Sequence, residues 1–97
     1  MKVGFARLAR DEYNDAILYY ELQRPGLGKE FKSEVRLAIE RMLRFPLGWP
    51  VERGEIRKCL LHRFPYKLLY AVEAERLLIV AVAHQHRQPD YWAKRTN

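Results

Sequence analysis

Hydrophobic positions recur every three or four residues in two stretches of the chain, and this spacing predicts two amphipathic helices. The first helix runs from about Ala9 to Gln23 and the second from about Lys29 to Phe45. Between them lies "RPGLG", whose proline and glycines end the first helix. We therefore expect an antiparallel helical hairpin. Its inward positions are Ala9, Tyr13, Ala16, Ile17, Tyr20, Phe31, Val35, Ala38, Ile39, Met42 and Leu43.

Outside the helices, the hydrophobic residues form short runs rich in β-branched and aromatic side chains, which predict strands. "KVGFA" precedes the first helix, and "EIRKCLLH", "YKLLYAV" and "RLLIVAVAH" follow the second. Residues 46–54 are expected to form a loop, because Pro46, Gly48 and Pro50 interrupt regular structure. The predicted fold is α+β, in the order β-α-α-β-β-β, over one domain of residues 1–97. The helical hairpin covers one face of a small antiparallel sheet and leaves the other face open.

Positive charge is concentrated in the second half of the chain. The whole sequence carries a net charge of +6, and residues 53–97 hold nine basic and four acidic residues, a net of +5. Such an excess attracts an anionic partner, and we expect the open sheet face to carry it. The residues assigned to contact with nucleic acid or a protein target are Arg57, Arg63, His86, Lys94 and Arg95.

Several classes of function find no support in the sequence. It contains no phosphate-binding loop, dinucleotide-binding glycine motif, zincin helix or nucleophile elbow. The apolar run over residues 77–83 is too short to cross a bilayer, and the charged N-terminal segment does not resemble a signal peptide, so a cytoplasmic location without membrane contact is expected. The single cysteine, Cys59, is interpreted as a core residue. No cofactor is expected.

The chain ends its most hydrophobic strand with "AHQHRQPDYW", which concentrates polar and aromatic side chains. His84 and His86 are expected on one side of the strand, but too few further ligands accompany them to predict a metal site. His84, Arg87 and Tyr91 carry groups that act as acid, base or phosphate clamp. The same residues also suit a structural role, in which His84 holds the strand end and Tyr91 packs over the core edge. Both interpretations stay open at this level.

Three segments, "YYELQRPGLGKEFKSEV", "RKCLLHRFPYKLLYAV" and "LLIVAVAHQHRQPDYW", resemble in order and spacing the RelE/ParE superfamily of toxins from bacterial type II toxin–antitoxin modules. The resemblance extends over nearly the whole chain. It implies the β-α-α-β-β-β fold and a cognate antitoxin as partner in a hetero-oligomeric complex. The apolar residues left outside the inward stripe of the first helix, Leu18, Tyr19 and Leu22, are expected to bind that antitoxin.

The superfamily implies two alternative activities. RelE-like members cleave mRNA on the ribosome, and the residues that match in type for this chemistry are Lys58, Lys67, His84, Arg87 and Tyr91, with His86 as an alternative to Arg87. Leu60 departs from that pattern, because a basic residue often occupies its position. ParE-like members inhibit DNA gyrase, and the long hairpin and "RFPY" favour this branch. A hypothesis from another class is a basic nucleic-acid-binding module without enzymatic activity, which would bind in a salt-sensitive manner and leave growth unaffected.

Overall fold

A computed structural model describes residues 1–96 of the chain. The elements in order are β1 (Lys2–Phe5), α1 (Arg7–Gln23), α2 (Leu27–Arg44), β2 (Val51–Arg53), β3 (Ile56–Leu60), β4 (Tyr66–Val72), β5 (Arg76–His84) and a terminal 3-10 helix (Ala93–Thr96). The expected order of strand, two helices and three strands is confirmed, with β2 as an additional short strand. Within the described residues, neither helix is long and apolar enough to cross a membrane.

The sheet is mixed, whereas the sequence predicted an antiparallel one. Its strand order is β1-β5-β4-β3-β2, and β1 pairs in parallel with β5 in the register Lys2 to Arg76 and Phe5 to Ile79. The other neighbouring strands are antiparallel. Because β1 and β5 lie at opposite ends of the sequence, the strand pattern alone carried no information about their relative direction.

The strand β2 lies inside the segment predicted as a loop. It pairs with β3 across a turn at Gly54, which has a φ of 57°. That left-handed conformation suits glycine and closes the hairpin. Pro50 and Gly48 do interrupt regular structure before β2, so the prediction was wrong only for the three residues of β2.

The turn between the helices is tightly closed. Glu21 accepts hydrogen bonds from the backbone N–H of Gly26 at 3.0 Å and of Gly28 at 3.1 Å. A Cβ atom at Gly28 would lie 2.8 Å from the carbonyl oxygen of Ile17, so only glycine permits this approach of the two helices. The predicted hairpin is therefore confirmed, with α1 beginning two residues earlier than expected.

The main core lies between the hairpin and one face of the sheet, which we call the helix face. Phe31 is fully buried there, and its ring contacts those of Tyr20, Phe64 and Tyr66 at centroid distances of 5.2–5.4 Å. All predicted inward positions of α1 and α2 belong to this core or pack against it. Tyr66 and Tyr70 also point to the helix face, as their two-residue period along β4 predicts.

The opposite face, which we call the second face, is not the open basic surface that the sequence predicted. A smaller apolar cluster occupies it, made by Ile56, Leu69, Val80, Ala81 and Trp92. Trp92 belongs to the segment that follows β5, residues 85–96, which we call the C-terminal segment, and it is 3% exposed. This segment covers part of the second face because that face carries apolar side chains that gain from burial.

Candidate functional site

The C-terminal segment is tied to α1 through the carboxylate of Glu12. Its Oε1 accepts hydrogen bonds from the backbone N–H of Val82 at 3.0 Å and from Arg95 Nη1 at 2.8 Å. Its Oε2 accepts from the Tyr91 hydroxyl at 2.7 Å and from Arg95 Nη2 at 3.0 Å. The carboxylate of Glu12 therefore links α1 to the edge of β5 and to the C-terminal segment.

Tyr91 is held on three sides. The guanidinium carbons of Arg87 and Arg95 lie 4.0 Å and 4.9 Å from its ring centroid, close enough for cation–π attraction. Burial raises the pKa of Tyr91, and the hydrogen bond to Glu12 raises it further. At neutral pH the hydroxyl is therefore a protonated donor engaged with Glu12, and it is not available as a base.

His84 ends β5 on the helix face, opposite Tyr66 on β4. Its ring lies 5.2 Å from the rings of Tyr66 and His86, which agrees with the expectation that the two histidines share one side. His84 Nδ1 accepts a hydrogen bond from the backbone N–H of His86 at 3.1 Å, so Nδ1 carries no proton in this arrangement. His84 is thereby fixed in orientation by its neighbours.

A cleft of about 370 Å³ opens where α1 meets the end of β5. The cleft brings His84 and Arg87 next to Tyr19. His84 and Arg87 are candidate catalytic residues, and Tyr19 belongs to the predicted antitoxin surface. Its lining consists of Glu12, Asp15, Ala16, Tyr19, Tyr66, Val82, His84 and Arg87.

Lys58 and Lys67 lie elsewhere, on the second face. Lys58 pairs in register with Leu69, and Lys67 with Leu60, so all four side chains point to that face. Both ammonium groups contact one carboxylate, because Lys58 Nζ lies 3.6 Å and Lys67 Nζ 3.2 Å from oxygens of Glu52. Of the residues assigned to ribonuclease chemistry, Lys58 and Lys67 thus lie on the second face and His84 on the helix face, whereas the ring of Tyr91 packs against the second-face cluster.

The residues assigned to target contact are distributed over the molecule. Arg57 points to the helix face and donates to the carbonyl oxygen of Trp49 at 2.7 Å. Arg63 lies 3.5 Å from a carboxylate oxygen of Glu30 and 3.7 Å from one of Glu34. His86 and Lys94 are exposed, whereas Arg95 is engaged with Glu12.

Two structurally important acids were not singled out from the sequence. Glu34 is 7% exposed and accepts the backbone N–H groups of His62 and Arg63 at 3.1 Å and 3.0 Å, which fixes the connection between β3 and β4. Glu12 performs the equivalent task for the C-terminal segment. Each lies three residues after an inward residue of its helix, Phe31 or Ala9, and a carboxylate at that spacing is the signal that would have found them.

The predicted antitoxin surface on α1 is exposed. Leu18, Tyr19 and Leu22 are 58%, 55% and 78% exposed. Asp15 lies one turn before Tyr19, so this apolar surface has an acidic neighbour.

The family model that matches this chain describes the ParE toxin of the type II toxin–antitoxin system parDE, and the match covers residues 3–89. No curated protein matches the sequence. A solved structure titled "Chromosomal ParDE TA system from P. aeruginosa" superposes with a TM-score of 0.75 at 16% sequence identity, over 87% of this chain and 95% of that one. The protein has the fold of that structure and belongs to the ParE toxin family of type II toxin–antitoxin systems.

Proposed function

We propose that this toxin arrests growth by inhibiting DNA gyrase and does not cleave mRNA. The observation that carries the proposal is the family match over residues 3–89, because inhibition of gyrase is the activity that the ParE-like branch implies. An antitoxin follows from membership of a toxin–antitoxin family, and its binding surface is the exposed apolar part of α1, Leu18, Tyr19 and Leu22.

The arrangement of the polar side chains supports inhibition over RNA cleavage. Cleavage requires a base for the 2′-hydroxyl, a positive group for the phosphate and an acid for the leaving oxygen, all within reach of one phosphate. Lys58 and Lys67 contact Glu52 on the second face, whereas His84 lies on the helix face. The hydroxyl of Tyr91 donates to Glu12. The placement of the lysines and His84 on different faces supports inhibition over cleavage.

In this proposal the cationic residues contribute to binding the target. Arg87 contributes a guanidinium that stacks on Tyr91 and lies in the cleft beside α1. His86 and Lys94 contribute exposed donors near the end of the chain. Arg57 and Arg63 act indirectly, since Arg57 supports the loop at Trp49 and Arg63 contacts Glu30.

The deciding experiment compares two kinds of damage after brief induction of the toxin. Gyrase-trapped broken DNA is measured in one sample, and mRNA cleavage is measured by primer extension in the other. We expect broken DNA with intact mRNA. Substitution of His84 or Arg87 by alanine should then weaken toxicity only as far as it weakens binding or folding.

Codon-aligned mRNA breaks with unbroken DNA would overturn the proposal. His84, Arg87 and Tyr91 would then be catalytic residues, and each alanine variant should lose cleavage by a factor of about 10²–10⁴. Unchanged growth together with salt-sensitive binding of RNA or DNA would instead support a nucleic-acid-binding module without enzymatic activity.

A further inference from the structure

A second exposed apolar surface lies where α2 ends, at the opposite end of the hairpin from Leu22. Phe45 and Leu47 are 71% and 68% exposed, and Met1 beside them is 60% exposed. We call these three residues the α2-end patch. The patch borders a shallow groove of about 430 Å³, lined by Met1, Arg44, Phe45, Pro46, Leu47, Gly48 and Val72. Large apolar side chains grouped at this exposure mark an interaction surface.

The loop that presents the patch is held in place by three hydrogen bonds. The hydroxyl of the fully buried Tyr70 donates to the carbonyl oxygen of Pro46 at 2.6 Å. The backbone N–H of Gly48 donates to the carbonyl oxygen of Phe45 at 2.9 Å, and Arg57 donates to that of Trp49 at 2.7 Å. A loop fixed in this way loses little conformational entropy on binding, so its exposed apolar side chains are preorganised for a partner.

The charge around the patch is positive and uncompensated. Arg44 is the one charged residue in the groove lining. Arg41 lies one turn before Phe45, but its Nε and Nη2 atoms are buried, so its side chain is turned inward and the charge at the patch comes from Arg44. Within residues 1–96, no ion pair involves Arg41 or Arg44. The complementary partner is a protein segment that places an apolar side chain next to one or more carboxylates.

The surface on α1 has a different chemical character. Leu18, Tyr19 and Leu22 lie beside charges of both signs, because Asp15 and Arg87 line the same cleft as Tyr19. The two surfaces are separated by the length of α2, whose 18 residues span about 27 Å at 1.5 Å per residue. One short partner segment therefore does not satisfy both surfaces.

We infer that the α2-end patch docks the protein target of the toxin through an acidic and apolar segment of that target, while the α1 surface serves the antitoxin. The inference rests on the proposed function in so far as it takes gyrase to be the target. Arg44 faces the carboxylate of the target segment, and Phe45 and Leu47 receive its apolar side chain.

The test compares a Phe45→Ser/Leu47→Ser double variant with the wild type and with Leu37→Ser. Leu37 is 44% exposed on α2 and lies outside both surfaces, so its variant controls for the loss of an exposed apolar side chain. Folding is checked by circular dichroism and the melting midpoint. Inhibition of purified gyrase is measured in a supercoiling assay, growth arrest is measured in culture, and antitoxin binding is measured with the product of the adjacent antitoxin gene.

We expect the double variant to fold and to bind the antitoxin within about twofold of wild type. Its inhibition of gyrase should fall by at least about tenfold, which is the usual effect of removing the anchoring residues of an interface. Inhibition equal to that of wild type would overturn the inference and leave the proposed function standing. Intact inhibition with lost antitoxin binding, or with conversion of a wild-type dimer to a monomer, would also overturn it, because another partner would occupy the patch. If the wild type spares gyrase and the double variant still loses toxicity, the proposed function is wrong and the patch remains the target surface.

Discussion

The two faces of the sheet are covered in different ways. The helix face is covered by the α1–α2 hairpin, through a core in which buried residues from both helices contact those of the strands. The second face is covered in part by the C-terminal segment, whose fixed point is one carboxylate, Glu12. Stability on the helix face is therefore distributed over many apolar contacts, whereas the C-terminal segment on the second face is held by the burial of Trp92 and by a few polar bonds that converge on Glu12.

The largest expected effect comes from removing the central aromatic ring of the helix face. Phe31→Ala leaves a cavity among Tyr20, Phe64 and Tyr66, and we expect it to lower the free energy of unfolding by about 4 kcal/mol. Trp92→Ala on the second face should cost about 2 kcal/mol, because the C-terminal segment can detach locally without unfolding the rest. Urea unfolding measures both values. A larger loss for Trp92→Ala would show that the two faces form one cooperative unit.

The next effect compares two acids that accept backbone hydrogen bonds, the half-buried Glu12 and the buried Glu34. Glu12→Gln should lower the free energy of unfolding by about 2 kcal/mol, because Arg95, which is 15% exposed, loses its counter-ion. Glu34→Gln should cost about 1 kcal/mol or less, since the amide oxygen can still accept both backbone N–H groups that Glu34 Oε1 accepts. Thermal unfolding of both variants gives the comparison. Equal losses would contradict the conclusion that the short ion pair with the largely buried Arg95 contributes more than the longer one between Glu34 and the exposed Arg63.

The helix face was predictable because its signals are local. The apolar period of α1 and α2 marks the inward positions, and the alternation along β4 places Tyr66 and Tyr70 on the same side. The glycine-containing turn also marks the end of the first helix. None of these inferences required knowledge of which distant residues meet.

The second face was not predictable because its contacts are distant in the sequence. Glu12 meets Tyr91 and Arg95 across 79 and 83 residues. The spacing of Glu12 after Ala9 places it beside the inward stripe of α1, but it does not identify Tyr91 and Arg95 as its partners, and Tyr91 suits either a catalytic or a structural role. The charge balance likewise indicated a basic surface, but it did not reveal that Lys58 and Lys67 share Glu52.

A smaller effect is expected in the free energy of unfolding at alkaline pH. Burial raises the pKa of Tyr70 from 10.0 to about 12. Since the folded pKa lies above the unfolded one, this contribution to stability is complete below pH 10 and is lost as the pH rises toward 12. Tyr70→Phe should cost about 1 kcal/mol at neutral pH through loss of the bond to Pro46.

The difference between wild type and Tyr70→Phe should shrink above pH 10, as measured by urea unfolding over a pH series. Tyr91→Phe serves as the matched variant on the second face, because burial and Glu12 also raise the pKa of Tyr91. A constant difference for Tyr70→Phe across the series would show that its hydroxyl titrates normally in the folded protein.

The smallest effect is expected on the part of the second face that remains accessible. Leu60 is 49% exposed and lies directly opposite Lys67, so Leu60→Lys places two positive charges across neighbouring strands. Like charges in that position destabilise a sheet modestly, and we expect a loss of about 0.5 kcal/mol. Leu60→Gln is the control, because it removes the apolar side chain without adding charge. The difference between the two melting midpoints should diminish in 1 M salt, where charges at this exposure are screened. A difference that persists in salt would show that repulsion from Lys67 is not its cause.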